Sequence, residues 1–340
     1  MGIKNCHCEE ERSRQTRQPR STWRSNLYQH GIAALLSVAR NDIHLAITNL
    51  MNKPKVFIIG GTGLIGSKII DSFTDYDFVN LSIETGVDIT NPAALDVIAR
   101  DKECQIVLHL AAKADVDGCE KDKPFGENGA AYKINVLGTK NIVDACMATN
   151  KKIIYISTDF VFDGEETPKA GYTEDDKPHP INWYAVTKYK GEEIVQNSGL
   201  PFIIARLAYP YRQDSFALKK DFVHAILDRL LNQQKVMAVT DHIMTPTYVD
   251  DIAVAISELI KANTNGIYHV TGSEHLSPYE AALKIADVFQ CDSSLIIKTT
   301  RAEYFKDRAP RPFNLTMNSD KIQHLGVKMR GFEEGLSLLL

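Results

Sequence analysis

Short apolar runs alternate with longer amphipathic stretches over most of the chain, from Lys55 onward. The first run, residues 56–59, is apolar throughout and is cut off by glycines, which is typical of a buried parallel strand that ends in a tight turn. A helical pattern then covers residues 67–73. Because neighbouring parallel strands need crossover connections, repetition of this unit predicts parallel strands joined by right-handed crossovers.

The same periodicities place the remaining elements. Thr90 or Asn91 would cap the helix that starts near 92, and Asp250 and Asp251 would cap the helix at 252–260. The alternation predicts an α/β fold, a Rossmann-type doubly wound parallel sheet with a smaller C-terminal lobe. Strands are predicted at residues 56–59, 78–82, 106–110, 152–164, 202–206, 237–239 and 266–270, and helices at 67–73, 184–195, 222–231 and 252–260, with others starting near 92, 134 and 278.

The turn after the first strand is glycine-rich in two registers. Gly61, Gly63 and Gly66 fit the spacing GxGxxG, and Gly60 with the last two fits GxxGxxG. Residues without side chains let the main chain approach a pyrophosphate, whose charge then meets the N–H groups and positive dipole end of the following helix. The alternative is a strand-to-helix turn that binds nothing. The position between an apolar strand and a helical pattern favours dinucleotide binding.

This turn sets the expected organisation of the chain. Residues 51–207 would form the dinucleotide-binding domain, and residues 208–340 a substrate lobe with some elements returning to the sheet. Residues 1–50 are richer in arginine and carry a short apolar patch at 31–39. That patch is too short for a membrane helix and too far from the N-terminus for a usual signal peptide. An organelle-targeting segment is the alternative, but we expect residues 1–50 to be an extension outside the fold.

The end of the second strand bears on the choice of coenzyme. An acidic residue there would hold the adenosine ribose of NAD, whereas an arginine would accommodate the 2′-phosphate of NADP. Ser82 and Glu84 stand at this place, neither is decisive, and no arginine accompanies them. The expected cofactor is therefore NADP(H) or NAD(H), with the preference left open.

A second constellation carries proton chemistry. Tyr184 and Lys188 are four positions apart, which places both on one face of a helix. An ammonium beside a phenol is expected to lower the pKa of the phenol, so that Tyr184 exchanges a proton with a carbonyl oxygen near neutral pH. YxxxK also occurs by accident in surface helices. Here it follows both the glycine turn and a strand that carries Thr158 to the carboxyl edge of the sheet, which favours the catalytic interpretation.

Composition narrows the class of protein. The formal net charge of -4 gives no long-range attraction for nucleic acid, and no apolar run approaches the roughly 20 residues that span a bilayer. The six cysteines are scattered, which favours reduced thiols and a cytoplasmic location. Cys6 and Cys8 flank a histidine, but no second ligand pair has the spacing of a zinc site, so no metal is expected.

Together these residues resemble the extended short-chain dehydrogenase/reductases. The glycine turn, Asn135, Thr158, Tyr184 and Lys188 mark that superfamily. Within it, four strings resemble the dTDP-4-dehydrorhamnose reductase group, and the likeness runs from about Lys55 to the C-terminus. The strings are VDITNP at 87–92, ADVDGCE at 114–120, STDFVFDG at 157–164 and TPTYVDD at 245–251.

The resemblance implies roles for individual residues. Tyr184 would donate the proton, Lys188 would tune it and hold the nicotinamide ribose, and Thr158 would hydrogen-bond the reacting oxygen. Asp159 and Tyr209 would contact the sugar. Asn135 would anchor a water of a proton relay beside the cofactor, or else be a buried helix asparagine that satisfies backbone groups. Tyr184, Lys188 and Asn135 are also assigned to the cofactor, and the remaining residues assigned to it are Gly60, Gly61, Gly63, Leu64, Ile65, Gly66, Asp88, Ile89, Ala111, Ala112 and Lys113.

The chain also departs from the pattern of the group. Lys113 stands where an aromatic residue or a histidine is frequent, and the stretch 205–211 lacks the usual tryptophan. These differences leave the exact sugar open. Arg301, Arg308 and Arg311 suit a diphosphate because the planar guanidinium matches its oxygens, with exposed loop arginines as the alternative.

Three functions follow from the resemblance. The leading one is NAD(P)H-dependent reduction of the C4 keto group of a dTDP-4-keto-6-deoxy sugar. A second is a sugar-nucleotide epimerase or dehydratase that retains NAD, although a dehydratase would want an acidic pair after Thr158, where Asp159 is followed by Phe160. The third is a non-catalytic NADP-binding subunit resembling the regulatory subunit of methionine adenosyltransferase. The expected partners are a small nucleotide-sugar substrate and, for a homodimer, a second copy of the chain, with neither nucleic acid nor a membrane.

Overall fold

The computed structural model describes residues 53–214, 216 and 220–340. Expectations for residues 1–50, Cys6 and Cys8 therefore lie outside the described residues. The strands are β1 (Lys55–Ile59), β2 (Asp77–Leu81), β3 (Ile106–His109), β4 (Lys152–Thr158), β5 (Phe202–Leu207), β6 (Pro210–Tyr211), β7 (Val236–Val239), β8 (Thr247–Tyr248), β9 (Gly266–His269) and β10 (Ile296–Thr299).

Helices connect these strands as the amphipathic stretches predict. The α-helices are α1 (Leu64–Ser72), α2 (Asp96–Arg100), α3 (Val116–Asp122), α4 (Ala130–Tyr132), α5 (Thr139–Met147), α6 (Trp183–Gln196), α7 (Phe222–Leu231), α8 (Val249–Lys261), α9 (Pro278–Val288), α10 (Arg301–Tyr304), α11 (Asp320–Gln323) and α12 (Phe332–Ser337). A π-helical segment, Lys133–Gly138, joins α4 to α5. Short 3-10 helices lie at Ile83–Thr85, Pro92–Leu95, Lys123–Asn128, Asp159–Val161 and Ser293–Leu295.

The main sheet has six parallel strands in the order β2-β1-β3-β4-β5-β9. After β1 the chain moves to one side for β2 and then to the other for β3, so the order reverses between β1 and β3. Ligands of such sheets bind in the crevice beyond the carboxyl ends of the strands at this switch point. The predicted fold class, a doubly wound Rossmann-type sheet, is confirmed.

Alternating side chains on β1 divide the core into two layers. Val56 and Ile58 belong to the cluster that contains the buried face of α8, whereas Phe57 and Ile59 belong to the cluster with the buried face of α5. All four side chains are at most 1% exposed. Because the sheet is covered on both faces, β1 is apolar at every position after its first, as its sequence predicts.

A third cluster lies outside the main sheet, where α7, α9 and α12 pack against β7 and β10. β7 and β10 form a two-stranded parallel sheet, and β6 pairs with β8 in another. β9 follows α7, β7, β8 and α8 in the chain but precedes α9, β10 and α12. It returns to the main sheet and pairs with β5 from Ile203↔Gly266 to Arg206↔His269. The third cluster is therefore built from chain segments on both sides of a main-sheet strand.

Among the element boundaries that differ from the prediction, those of α1 and β4 have clear local causes. α1 begins at Leu64 instead of residue 67, because Gly63 is extended (φ -77°, ψ 175°) and its carbonyl already accepts from the Ser67 N–H at 3.0 Å. β4 ends at Thr158 instead of residue 164. The Thr158 hydroxyl accepts a hydrogen bond from the Phe160 N–H at 3.2 Å and so caps the following 3-10 helix.

The capping role predicted for Asp250 and Asp251 is wrong. Tyr248 is the N-cap of α8 and makes no side-chain cap bond. Asp250 pairs with Lys68 on α1 at 2.6 Å, and Asp251 accepts from the Arg330 N–H at 2.9 Å and pairs with its guanidinium. Both carboxylates lie in the first helical turn, where the dipole favours them, but their partners are on other elements. The Asn91 cap, by contrast, is confirmed, since its side chain accepts from the Ala93 N–H.

The cysteines in the described part of the chain are free thiols. Cys104, Cys119 and Cys146 are buried and Cys291 is half-buried. Burial raises the pKa of Cys119 and Cys146 to about 12, so both thiols stay protonated. Within the described residues, every helix is too short or too polar to cross a bilayer.

Candidate active site

The glycine turn lies at the switch point and depends on missing side chains. Gly60 has φ +81°, and a Cβ there would lie 2.8 Å from the Ala111 backbone nitrogen. A Cβ on Gly66 would lie 2.6 Å from the Gly60 carbonyl oxygen. The turn closes through the Gly63 N–H, which donates to that same carbonyl at 3.1 Å. The backbone is thereby held tightly against the start of α1, as phosphate binding at a helix N-terminus requires.

A cavity of about 550 Å³ opens beside this turn. We call it the glycine-turn cavity. It is bounded by the turn, the residues after β2, the ends of β1 and β3, and the helical residues 130–134 that precede α5. Its lining contains six of the predicted cofactor residues, Gly60, Gly63, Asp88, Ile89, Ala111 and Ala112. A neighbouring cavity of about 350 Å³ shares Gly60 and Gly63 with the glycine-turn cavity and is also lined by Leu64, Ile65 and Gly66.

Five residues assigned to the cofactor lie outside these linings: Gly61, Lys113 and Asn135, and also Tyr184 and Lys188, which line the cavity described next. The Gly61 N–H donates to the Asn80 side chain at 3.1 Å. Asn135 is 1% exposed and bridges the backbone of Lys113, accepting from its N–H at 2.8 Å and donating to its carbonyl at 3.1 Å. Asn135 also donates to the Thr187 hydroxyl at 2.9 Å. The backbone-satisfying alternative is thus what Asn135 shows, and its part in a water relay stays a prediction.

A second cavity, of about 400 Å³, adjoins the first at Leu110 and Ala112. We call it the Tyr184 cavity. It brings together the five residues assigned to catalysis or to the sugar, and Arg311 from the C-terminal part of the chain also lines it. These residues are Thr158, Asp159, Tyr184, Lys188 and Tyr209.

Local structure explains why these side chains meet. Thr158 is the last residue of β4, at the carboxyl edge of the sheet. Asn182 caps α6 by accepting from the Ala185 N–H at 2.9 Å, which fixes Tyr184 in the first turn of α6. Lys188 follows one turn later on the same face. The Lys188 ammonium lies 4.1 Å from the centroid of the Tyr155 ring on β4, a cation–π contact that holds it over the sheet.

The expected effect of Lys188 on Tyr184 is not what the structure shows. Burial raises the pKa of Tyr184, the Thr158 hydroxyl opposes that shift, and the Asp159 carboxyl adds to it. Burial also lowers the pKa of Lys188 to about 7. The prediction that the ammonium lowers the pKa of Tyr184 is therefore wrong for this structure, because burial has the largest effect on that pKa. Tyr184 keeps its proton at neutral pH, as a proton donor must.

Asp159 is the carboxylic acid that lines the Tyr184 cavity. It is 2% exposed, its Oδ1 accepts from the Thr158 hydroxyl at 3.0 Å, and its Oδ2 is buried without a hydrogen-bond partner. Burial raises its pKa to about 7, partly opposed by the hydrogen bond from Thr158. A buried oxygen that lacks a partner and borders a cavity is suited to a ligand hydroxyl.

This pKa predicts a pH-dependent stability. Between the ordinary pKa of 3.8 and about 7, folded Asp159 holds a proton that the unfolded chain has released, so stability falls as pH rises through this window. We expect Asp159→Asn to raise the melting temperature by several degrees more at pH 8 than at pH 5, at roughly 2–4 °C per kcal/mol. The exposed Asp144→Asn is the control and should shift both values equally. Equal shifts for Asp159→Asn would contradict the raised pKa.

Tyr209 is held by a histidine that sequence reasoning missed. The Tyr209 hydroxyl lies 2.8 Å from His242 Nε2, and His242 Nδ1 lies 2.7 Å from the Pro312 carbonyl oxygen. Because that carbonyl can only accept, Nδ1 carries the proton and Nε2 accepts from Tyr209. Burial lowers the pKa of His242 to about 4, which keeps this neutral form. The Tyr209 oxygen is then left as an acceptor toward the cavity.

The three arginines noted in the sequence have different surroundings. Arg311 lines the Tyr184 cavity, where its guanidinium pairs with Asp117 at 2.8 Å. Arg308 lines an aromatic cavity of about 530 Å³ that shares Tyr209 and Arg311 with the Tyr184 cavity. Arg301 donates to the Arg311 carbonyl at 2.7 Å and lies outside both linings. The sequence does not distinguish these roles, because all three arginines lie close together within residues 301–311.

A buried ion pair lies behind Lys188. Glu192, one turn further along α6, binds Arg206 on β5 with both carboxylate oxygens, at 3.0 and 2.8 Å. Neither residue is more than 1% exposed. Arg206 Nη1 also lies 3.4 Å from His269 Nε2 on β9. The pair fastens α6, and with it Tyr184 and Lys188, to β5 of the main sheet.

The family model of the RmlD substrate binding domain matches residues 54–340. The chain belongs to the RmlD substrate binding domain family. The match spans nearly all of the described residues, including both the glycine turn and the lobe. The family resemblance predicted from the sequence is confirmed.

Relatives of this RmlD-family chain fall into two kinds. Methionine adenosyltransferase 2 subunit beta of Xenopus laevis is 28% identical over 291 residues, 81% of this chain and 84% of that protein. The spore coat polysaccharide biosynthesis protein SpsK of Bacillus subtilis is 28% identical over 284 residues, 83% of this chain and 95% of that protein. A crystal structure of dTDP-4-dehydrorhamnose reductase from Bacillus anthracis, in complex with NADP, is 29% identical with a TM-score of 0.75 and covers 84% of this chain and 98% of its own.

Proposed function

We propose that this protein reduces the C4 keto group of a dTDP-4-keto-6-deoxy sugar, with Tyr184 as the proton donor. The observation that carries the proposal is the joint position of Thr158, Tyr184 and Lys188 in one cavity that adjoins the glycine-turn cavity. A reducing coenzyme and a carbonyl substrate need two such adjoining sites. The coarser assignment, an NAD(P)H-dependent oxidoreductase, follows from the family and the structural neighbours.

The residues present fit a dinucleotide. Gly60 and Gly66 leave the backbone bare where a Cβ would clash, and α1 directs its N-terminus toward the turn. Ala111 and Ala112 follow β3 and line the glycine-turn cavity, and their small side chains leave room for a flat ring to lie against them. When bound, the nicotinamide supplies the hydride.

The protein's own part of the reaction is proton delivery. Tyr184, protonated at neutral pH, would give its proton to the substrate oxygen as negative charge develops there. Lys188 has a pKa of about 7, so it can hold or release a proton near neutrality. It would balance the negative charge left on the Tyr184 oxygen after the transfer. Thr158 donates to Asp159 in this structure and would exchange that bond for the substrate oxygen.

The substrate side suits a hydroxylated sugar attached to a diphosphate. Asp159 Oδ2 and the Tyr209 oxygen are acceptors without a donor, so both fit sugar hydroxyl groups. The aromatic cavity beyond Tyr209 combines Arg308 and Arg311 with apolar rings. Guanidinium groups suit a diphosphate and the rings suit a flat base. The rings that line this cavity are Phe222, Tyr304 and Phe305.

A dehydratase is disfavoured by the position after Asp159. Phe160 packs edge-on against Tyr184, with ring centroids 6.2 Å apart, and lies 6.1 Å from the Tyr209 ring. An apolar ring therefore stands where a dehydratase would place its second acid. An epimerase that returns the hydride to the same sugar would differ from a reductase in consuming no coenzyme.

A second candidate function comes from the relatives. The similarity to the beta subunit of methionine adenosyltransferase 2 extends over 81% of this chain. A subunit of that kind would bind the cofactor and a catalytic partner without turnover. Co-elution of the purified chain with the catalytic methionine adenosyltransferase of the same organism would support this alternative. The full Thr158, Tyr184 and Lys188 set favours the reductase.

The test is a direct assay. Purified protein is mixed with dTDP-4-dehydrorhamnose and either NADH or NADPH, and the loss of nicotinamide absorbance is followed together with the product. We expect stoichiometric conversion to dTDP-rhamnose. Thr158→Val, which keeps the side-chain shape without the hydroxyl, should slow turnover by about 10²-fold. Cofactor binding without net oxidation would contradict the reductase and leave an epimerase or a binding subunit.

The proposal includes a cytoplasmic location. The buried, protonated thiols fit the reducing conditions of the cytoplasm. A homodimer remains a prediction that size-exclusion chromatography with light scattering would check.

A further inference from the structure

The end of β2 is fastened to the glycine turn. The Gly60 N–H donates to the Leu81 carbonyl at 3.1 Å, and the Gly61 N–H donates to the Asn80 side chain at 3.1 Å. The residues that follow β2 therefore have a fixed position beside the phosphate-binding backbone. In dinucleotide-binding sheets this is where the adenosine ribose is recognised.

Glu84 is the acid at this place, and it is tethered. It lies in the 3-10 helix Ile83–Thr85. The Ser82 N–H donates to the Thr85 hydroxyl at 2.8 Å, and the Thr85 N–H donates to the Ser82 carbonyl at 3.0 Å. The Glu84 carboxylate accepts from the Thr62 hydroxyl, inside the glycine turn, at 2.9 Å. Hydrogen bonds from its own backbone N–H and from Thr62 lower the pKa of Glu84, so it is ionised at neutral pH. Thr62 and Glu84 both line the glycine-turn cavity.

The charges around this cavity oppose a phosphate on the ribose. Its lining includes two carboxylates, Glu84 and Asp88, and no arginine among the described residues. Lys133 is the cation of that lining, but it belongs to the π-helical segment on the other side and not to the turn after β2. A 2′-phosphate would bring negative charge to a tethered carboxylate without a guanidinium to receive it.

We propose that Glu84 accepts a hydrogen bond from the 2′-hydroxyl of the adenosine ribose and excludes a 2′-phosphate, so that the protein selects NAD(H) over NADP(H). Glu84 follows the last glycine of the turn by about 20 residues, the separation at which such an acid reaches the ribose. The Thr62 tether holds the carboxylate at the rim before the cofactor arrives. This inference rests on the dinucleotide binding within the proposed function, and not on turnover.

Equilibrium binding tests the assignment without catalysis. NADH and NADPH are titrated separately into the full chain, and binding is read from nicotinamide fluorescence. We expect NADH to bind at least about tenfold more tightly than NADPH. Glu84→Gln should remove most of this difference, and Glu84→Arg should reverse it. Glu258→Gln, which neutralises an exposed acid on α8, is the matched control and should keep the wild-type ratio.

The outcomes separate this inference from the proposed function. Equal or tighter binding of NADPH to the wild type, or an unchanged ratio in Glu84→Gln, would overturn the role of Glu84 alone. Loss of NADPH binding in Lys133→Met, with NADPH bound tightly by the wild type, would give the discriminating role to Lys133. Binding of neither nucleotide would overturn the proposed function as well, whereas NADH selectivity in a protein that turns over no keto sugar would leave Glu84's role standing.

Discussion

Replacing Tyr184 by Phe is expected to lower turnover of a dTDP-4-keto sugar by about 10²–10⁴-fold, the range over which a positioned proton donor acts. The change removes the phenolic oxygen and keeps the ring that packs against Phe160. Cofactor binding should be mostly retained, because the glycine turn and Lys188 are untouched. Steady-state kinetics and coenzyme titration on the same preparation measure the two effects separately.

Tyr189→Phe provides the control for this variant. Tyr189 lies on α6, as Tyr184 does, is half-buried, and does not line the Tyr184 cavity. Its loss of a hydroxyl should leave turnover within a factor of about 2, since a substitution away from the site changes little. Turnover by Tyr184→Phe equal to that of the wild type would refute the assigned donor. Loss of coenzyme binding in the same variant would mean that the phenol serves the cofactor instead of the proton.

Replacing Arg206 by Met is expected to destabilise the fold by about 3–5 kcal/mol, because it leaves the Glu192 carboxylate buried without its partner. The carboxylate now receives two charge-assisted hydrogen bonds, at 3.0 and 2.8 Å, and is fully buried. A loss of this size is a large part of a typical domain's stability of roughly 5–15 kcal/mol. Urea unfolding followed by circular dichroism measures it.

Two further variants identify the cause. The double variant Glu192→Met with Arg206→Met removes both charges and should recover most of the stability. Arg100→Met breaks an exposed pair with Asp96, whose side chains are 80% and 54% exposed, and should change stability by at most about 1 kcal/mol. If the double variant is as unstable as Arg206→Met, the effect comes from lost packing of the arginine and not from the unpaired charge.

The sheet was predictable because its signals are local. The strands β1, β3, β4 and β5 each contain an apolar run between turns. The amphipathic helices α7 and α9 begin at recognisable caps, Asp221 and Ser277. Boundaries were less predictable where a side chain redirects the backbone, as the Thr158 hydroxyl does after β4. The wrong capping assignment of Asp250 and Asp251 also comes from side-chain contacts that the local sequence does not show. Their partners, Lys68 and Arg330, are distant in sequence, so no local pattern announces them.

The site was predictable in membership but not in its electrostatics. Spacing alone brings Tyr184 and Lys188 together, and the strand order adds Thr158. The pKa of Tyr184 depends on how deeply the helix face is buried, which spacing does not reveal. His242 is recruited by a contact with Tyr209 from a different segment, and its sequence signal is no more than a histidine before the TPTYVDD string.

The late return of β9 to the main sheet affects how the protein is made. During synthesis β5 emerges with one edge unpaired, and that edge stays open until the ribosome has released the lobe elements before Gly266. An unpaired strand edge invites association with other chains. Arg206 can contact His269 on β9 only after that strand has been made. Truncation before residue 269 should therefore yield an aggregating polypeptide and not a smaller working domain.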